Sequence, residues 1–188
     1  PDSDCTILRE KMSSYYGCNM ENIMVGNGSS EIINTVINAY CEKGDKVMSF
    51  VPSFSMYKTY CALCSAEFVG VDSESDFSQN IDKLIEEAKR QAPKVVILCN
   101  PNNPTGYVTP IKDVIKLLEN VKNSLIILDE AYADFSDNSA VKLINDFENL
   151  IVMRTMSKAF GLAGLRVGCL IACAETVKYI WKVGCLTM

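Results

Sequence analysis

A lysine in a glycine-punctuated loop offers the clearest chemistry in the chain. The stretch Arg154-Thr-Met-Ser-Lys158-Ala-Phe-Gly161-Leu-Ala-Gly164-Leu-Arg166-Val-Gly168 holds hydroxyls at Thr155 and Ser157 before the lysine, glycines after it, and an arginine eight residues beyond it. It follows Asn149-Leu-Ile-Val-Met153, an apolar run that reads as a buried strand. A lysine on a tight loop at a strand end can be partly desolvated. That lowers its pKa and turns its amine into a nucleophile. The hydroxyls and Arg166 could hold an anion beside it. The same residue types also suit a surface loop with solvated charges, so the neighbours that the fold brings to this loop decide between the two.

Four other clusters carry chemical potential. Gly26-Asn-Gly-Ser-Ser-Glu31 opens a predicted helix, and the amides around Gly28 with the hydroxyls of Ser29 and Ser30 suit a phosphate. A helix cap by Ser29 or Ser30 suits them equally. The third glycine of a dinucleotide fingerprint and the Gly-Lys-Ser/Thr of a P-loop are both missing. Asn103 lies in Asn100-Pro-Asn-Asn-Pro-Thr-Gly106, a turn that could present its amide to a ligand or be a turn and nothing more. Asp129 ends the apolar run Leu125-Ile-Ile-Leu, so its carboxylate needs a partner unless it and Glu130 are caps and surface charges. Tyr132 is close enough in sequence to reach the same ligand. Phe54, after Pro52-Ser53, offers a flat face for an aromatic ring or for the core.

The elements that must position these clusters alternate. Helical spacing covers 4–16, closed by Gly17. A short strand at 22–25 runs into the Gly26–Glu31 cluster and a helix through Ala39. Then come a strand at 46–51, a helix at about 55–64, a strand at 67–71 and a helix over 81–91. A strand at 94–99, a helix opened by Pro110 and a strand at 125–129 follow. Helical character returns around 140–147, followed by strands at 149–153 and 166–173 and a helix from near Glu175. Continuous apolar strands alternating with helices predict an α/β fold: a mostly parallel sheet covered by helices on both faces, in a single domain. Ligands of such sheets bind beyond the carboxyl ends of the strands. All five clusters fall there, and their convergence on one crevice says more than any single motif.

Composition narrows the partners. A net charge of −5 without a basic stripe argues against nucleic acid. No apolar run approaches membrane-crossing length, so no membrane partner is expected. The nine cysteines are odd in number and mostly in apolar surroundings, which fits thiols of a reducing, cytoplasmic compartment. Cys61 and Cys64 have redox or zinc spacing but no second pair. The chain has no histidine, which removes Ser/His and Cys/His nucleophilic systems and leaves no metal site in view. The acidic opening after Pro1 reads as neither a signal peptide nor a natural start. The last residues show no terminating pattern, so a piece of a longer protein is expected.

Taken together, the Gly26–Ile33 stretch, Pro52-Ser-Phe-Ser-Met-Tyr57, Asn100–Gly106, Asp129-Glu-Ala-Tyr132 and Ser157–Gly168 resemble the fold-type I, class I/II aminotransferases, most of all the histidinol-phosphate aminotransferase subgroup. The resemblance implies the large domain of the aspartate-aminotransferase-like fold and pyridoxal 5'-phosphate as cofactor. It implies that Lys158 forms the internal aldimine and shuttles the substrate proton, and that Asp129 pairs with the pyridine nitrogen. Asn103 and Tyr132 would bond the phenolic oxygen, and Phe54 would stack on the ring. Gly28, Ser29, Ser30, Thr155, Ser157 and Arg166 would lie at the phosphate. The implied substrates are a small amino acid or amino phosphate and a 2-oxo acid, handled by a homodimer. A lyase or decarboxylase of the same fold, or a non-catalytic pyridoxal-phosphate-binding module, fits the same motifs. Relatives of this kind carry an N-terminal segment and a C-terminal small domain that would lie outside this chain. The piece alone is therefore expected to transaminate weakly or not at all.

Overall fold

The apolar runs pair into one sheet in the computed structural model, which describes residues 2–184. Its strands are β1 (Ile23–Asn27), β2 (Lys46–Val51), β3 (Glu67–Asp72), β4 (Val95–Cys99), β5 (Leu125–Asp129), β6 (Leu150–Thr155) and β7 (Val167–Ala172). They lie in the order β1-β7-β6-β5-β4-β2-β3. The helices are α1 (Thr6–Tyr16), α2 (Ser29–Tyr40), α3 (Met56–Leu63), α4 (Ile81–Gln91), α5 (Ile111–Asn120) and α6 (Ala174–Gly184).

The continuous apolar strands are continuous because both sheet faces are buried. Val96, Leu98, Ile126, Leu128 and Val152 point to one face, where they meet Leu84 and Ile85 of α4 and Val114 and Leu117 of α5. Val95, Ile97, Ile127, Ile151 and Met153 point to the other, against Ile32, Ile33, Val36 and Ile37 of α2 and Tyr57 and Cys61 of α3. Every residue of β4, β5 and β6 is buried. α4 shows the local signals plainly. Asn80 Oδ1 accepts the Lys83 N–H at 3.2 Å, and Lys89 and Arg90 sit in the last turn where the helix dipole favours cations.

The pairs β2–β3, β2–β4, β4–β5 and β5–β6 are parallel. β7 is the exception, antiparallel to both β6 and β1. The reason is the length of its connection. Residues 156–166 hold one 3-10 turn, Ala163–Leu165, and no helix, while a parallel crossover needs about a dozen residues or more. Two reversals restore β1 to the direction of β6. The carboxyl ends of β1, β2, β4, β5 and β6 therefore share one edge with the amino end of β7.

The helical character read at 140–147 reduces to a 3-10 turn, Val141–Leu143. Glu130 Oε1 takes the Ala140 N–H at 2.7 Å, which fixes the start of the segment from outside, and Asn145-Asp146 are poor helix formers. Cys61 and Cys64 are free thiols on and just after α3. Among the described residues no cluster of three or more Cys, Asp or Glu could hold a metal ion, and no helix is long and apolar enough to cross a membrane.

Candidate active site

At the shared edge the strand ends open into a cleft with an empty volume of about 570 Å³, open solvent included. It is lined by Ser29, Ser30, Phe54, Asn103, Asp129, Tyr132, Thr155, Ser157, Lys158 and Arg166, joined by Cys99 and Ala131. Gly28 stands just behind the wall. A Cβ there would come within 2.5 Å of Arg166 Nη2. Residues read from five separate segments of sequence thus face one space.

Asp129, at the end of β5, is buried. Its Oδ2 accepts a 2.6 Å hydrogen bond from the Tyr57 hydroxyl, and its Oδ1 accepts the Ala131 N–H at 3.1 Å. Burial pushes its carboxyl above the usual range, against the two hydrogen bonds and the more distant Lys158 charge, which pull it down. Tyr57 ends the Pro52–Tyr57 motif, but no role for it was read from the sequence. The signal was present in its place three residues after Phe54. One helical turn brings the two side chains together, with ring centroids 5.5 Å apart and edge to face.

The turn after β4 divides its asparagines between two tasks. Asn100 closes the turn, donating to the Thr109 carbonyl and accepting the Thr109 N–H, each at 2.9 Å. Asn102 accepts from Ser53 Oγ at 2.8 Å and donates to Thr105 Oγ1 at 2.8 Å and to the Pro52 carbonyl at 3.1 Å, which ties the β4 turn to the β2 turn. Asn103 lines the cleft and is half-buried.

Lys158 lies at the cleft with Nζ 5.0 Å from the centroid of the Tyr132 ring. It is exposed, where the sequence suggested partial desolvation. The loop from Lys158 to Arg166 is exposed along its length, and its Phe160 ring meets Tyr15 of α1 edge to face with centroids 5.8 Å apart. Thr155 and Ser157 differ in their engagement. The Thr155 hydroxyl donates to the Val167 carbonyl at 3.5 Å and accepts the Ser157 N–H at 3.2 Å, so it shapes the turn. Ser157 Oγ is buried with no partner among the described residues.

One end of the cleft suits an anion. α2 begins at Ser29 with Gly28 in the cap position and no side-chain cap, so its first amides stay open to a ligand. Gly28 has φ 85°, and a Cβ on Gly168 would overlap Ser29 N, so these glycines let β7 approach the helix end. Arg166, in a left-handed conformation at the start of β7, brings its guanidinium to the same place. The orphaned Ser157 hydroxyl, the uncapped amides and the arginine fit a phosphate group. The Tyr57-supported carboxylate at the far end fits a protonated ring nitrogen.

A buried ion pair flanks the cleft and was also missed in the sequence. Arg154 Nη1 bonds Glu130 Oε2 at 2.9 Å, and Nη2 bonds Asp134 Oδ1 at 2.5 Å. Burial pushes the Glu130 carboxyl up, against hydrogen bonds from Ala140 N and Ser139 Oγ and the attraction of Arg154. Its signal was a lone charge, Arg154, inside an otherwise apolar strand.

The chain matches, over residues 1–184, the family model described as aminotransferase class I and II. It belongs to the class I and II aminotransferase family. Curated relatives include the histidinol-phosphate aminotransferases of Caldanaerobacter subterraneus subsp. tengcongensis, 44% identical over 96% of this chain and 51% of that protein, and of Ruminiclostridium cellulolyticum, 41% identical over 96% and 51%. The chain spans about half the length of the curated relatives it matches. Among solved structures, histidinol-phosphate aminotransferase from Sinorhizobium meliloti in complex with pyridoxal-5'-phosphate superposes with a TM-score of 0.92 at 25% identity, covering 97% of this chain and 50% of that one. L-threonine-O-3-phosphate decarboxylase from Porphyromonas gingivalis superposes with a TM-score of 0.83 at 26% identity, covering 97% and 54%. The aspartate-aminotransferase-like fold expected from the motifs is therefore the fold of this family member.

Proposed function

We propose that this chain is the cofactor-binding part of a pyridoxal-phosphate-dependent aminotransferase. The enzyme moves an amino group between an amino acid, or an amino phosphate such as histidinol phosphate, and a 2-oxo acid. The observation that carries this reading is the placement of Lys158 and Tyr132 in one cleft with an anion end at Ser157 and Arg166 and a buried carboxylate at Asp129. When bound, pyridoxal phosphate supplies the carbonyl that takes up the amine and the ring that accepts electrons from the substrate.

The chain's own residues supply the rest. Ser29, Ser30, Ser157, Arg166 and the open amides of α2 would hold the phosphate. Asp129, whose anionic form is favoured by Tyr57 and the Ala131 amide, would keep a proton on the ring nitrogen. Asn103 and Tyr132 would donate to the ring oxygen, and Phe54 would lie against the ring face. Lys158 Nζ is the amine available to attach the cofactor and afterwards to carry a proton to and from the substrate carbon. The same reading has the full-length protein acting as a cytoplasmic homodimer, which sedimentation and cell fractionation test directly.

Absorbance of the chain titrated with pyridoxal phosphate tests the cofactor. A band from the lysine adduct is expected, lost in Lys158→Ala, and a spectrum indifferent to that substitution overturns the reading. Likeness to a threonine-phosphate decarboxylase supports decarboxylation as the second reading. Incubation of the full-length protein with histidinol phosphate and a 2-oxo acid, and separately with threonine phosphate alone, separates them, since amino transfer turns the 2-oxo acid into a new amino acid while decarboxylation releases carbon dioxide from threonine phosphate.

A further inference from the structure

We infer that the buried Arg154–Glu130 pair is a positioning clamp that sets the separation of the Asp129 and Lys158 segments. In its bearing on the cofactor this inference rests on the function proposed above. β5 and β6 are paired in register as far as Asp129 and Met153. One more backbone bond follows, Glu130 N–H to the Met153 carbonyl at 3.0 Å. Beyond it the two backbones part. Residues 131–135 turn into the 3-10 segment Ala133–Phe135, and Met156 N–H turns the other way to the Val167 carbonyl at 3.0 Å. The groups that Asp129, Tyr132 and Lys158 present to the cleft all lie at or past this fork.

Among the described residues, the bonds that continue across the fork belong to Arg154. Its two terminal nitrogens reach Glu130, adjacent to Asp129, and Asp134, two residues after Tyr132. Its own backbone leads directly into Thr155, Ser157 and Lys158. The Tyr16 ring of α1 backs the guanidinium, 5.2 Å from its carbon. Glu130 is fully buried and anchored at its other oxygen by Ala140 N–H at 2.7 Å, so it cannot follow Arg154 if the loop drifts.

The arrangement is a poor choice for stability alone. A buried ion pair loses much of its attraction to desolvation, and apolar residues of similar volume often stabilise as well or better. Arg154 Nε is also buried without a partner among the described residues. The planar fork of an arginine gives direction to both of its bonds, which a point charge or a methyl group does not. Directional side-chain support of this kind holds reactive groups within the narrow tolerance that a site requires.

Two readouts on the full chain test the clamp. Arg154→Met, Arg154→Lys and the double variant Glu130→Gln/Arg154→Met are compared with Leu117→Ala, a core truncation in α5 away from the cleft. The first readout is amide hydrogen exchange without any ligand. The second is pyridoxal phosphate affinity, read from the lysine adduct trapped by borohydride. The double variant removes the fully buried Glu130 charge that Arg154→Met alone would strand, leaving the more exposed Asp134 carboxylate, while the side-chain amide oxygen introduced by Glu130→Gln can still accept the Ala140 N–H. It decides the matter if Arg154→Met does not fold.

The clamp requires faster exchange confined to residues 129–135 and 155–162 in the double variant, with affinity weaker by about tenfold or more. It requires an intermediate loss in Arg154→Lys. Leu117→Ala should lower the melting temperature without either change. Wild-type exchange and affinity in a folded double variant overturn the clamp. Faster local exchange with no lysine-dependent adduct in the wild type leaves the clamp standing and overturns the cofactor reading instead.

Discussion

Tyr57 and Asp129 are joined by a 2.6 Å hydrogen bond between two buried side chains that lie 72 residues apart in sequence. Tyr57→Phe keeps the ring and removes the donor. A buried hydrogen bond to a charged group is worth about 1.5–3 kcal/mol, and a loss of that size is expected in urea unfolding at neutral pH. The pH dependence has a definite sign. Burial already raises the Asp129 carboxyl above its unfolded value, so the folded state holds the proton more tightly. Stability from this group falls as pH rises from the unfolded pKa through the raised folded one, and is level above it. Tyr57→Phe raises the folded value further, so the fall should extend to higher pH. Unfolding curves from about pH 4 to 8 that keep the wild-type shape would contradict this.

Ser157→Ala should act with opposite signs on stability and on ligand binding. Its hydroxyl is buried without a partner among the described residues, so removing it relieves a desolvation cost. The ligand-free protein should be unchanged or more stable by up to about 1 kcal/mol. If the hydroxyl serves the phosphate, affinity for pyridoxal phosphate should fall by about tenfold, the worth of roughly one hydrogen bond to a charged group. Thermal melts with and without the cofactor check both signs in one experiment.

Asn102 and Asn103 are neighbours with different expected losses. Asn102→Ala strips three hydrogen bonds, two that tie the β2 and β4 turns and one within the β4 turn, and should destabilise the chain by about 1–3 kcal/mol. Asn103→Ala should leave the melt within about 0.5 kcal/mol and weaken cofactor binding. Differential scanning calorimetry beside a binding titration distinguishes them, and equal stability losses would contradict the division.

Gly168→Ala should disrupt the anion end from behind. The new Cβ would overlap backbone atoms of Gly28 and Ser29, and backbone does not yield as a side-chain tip does. Overpacking of this kind costs about 1–3 kcal/mol. It should also push the start of α2 away from Arg166, so affinity for pyridoxal phosphate should drop more than affinity for pyridoxal. Equal losses for the two would show that the glycine serves packing alone.

Local patterns in the chain were enough to place the strands, the helices between them apart from the 140–147 segment, and the side of the sheet where the chemistry gathers. Burial on both faces makes β4, β5 and β6 apolar along nearly their whole length, and that signal is contained in each short run. So is the cluster of Asn, Asp, Lys and hydroxyl residues at the strand ends. Which of these residues have partners became visible only in the folded chain. The bonds from Tyr57 to Asp129 and from Arg154 to Glu130 span 72 and 24 residues, and depend on strand order and register, which no short window contains. The reversal of β7 is of the same kind. A loop without an α-helix brings the chain back antiparallel, so Arg166 stands just before a strand that begins at the edge where the others end. The exposure of Lys158 is likewise a property of the assembled surface and not of the loop's own residues.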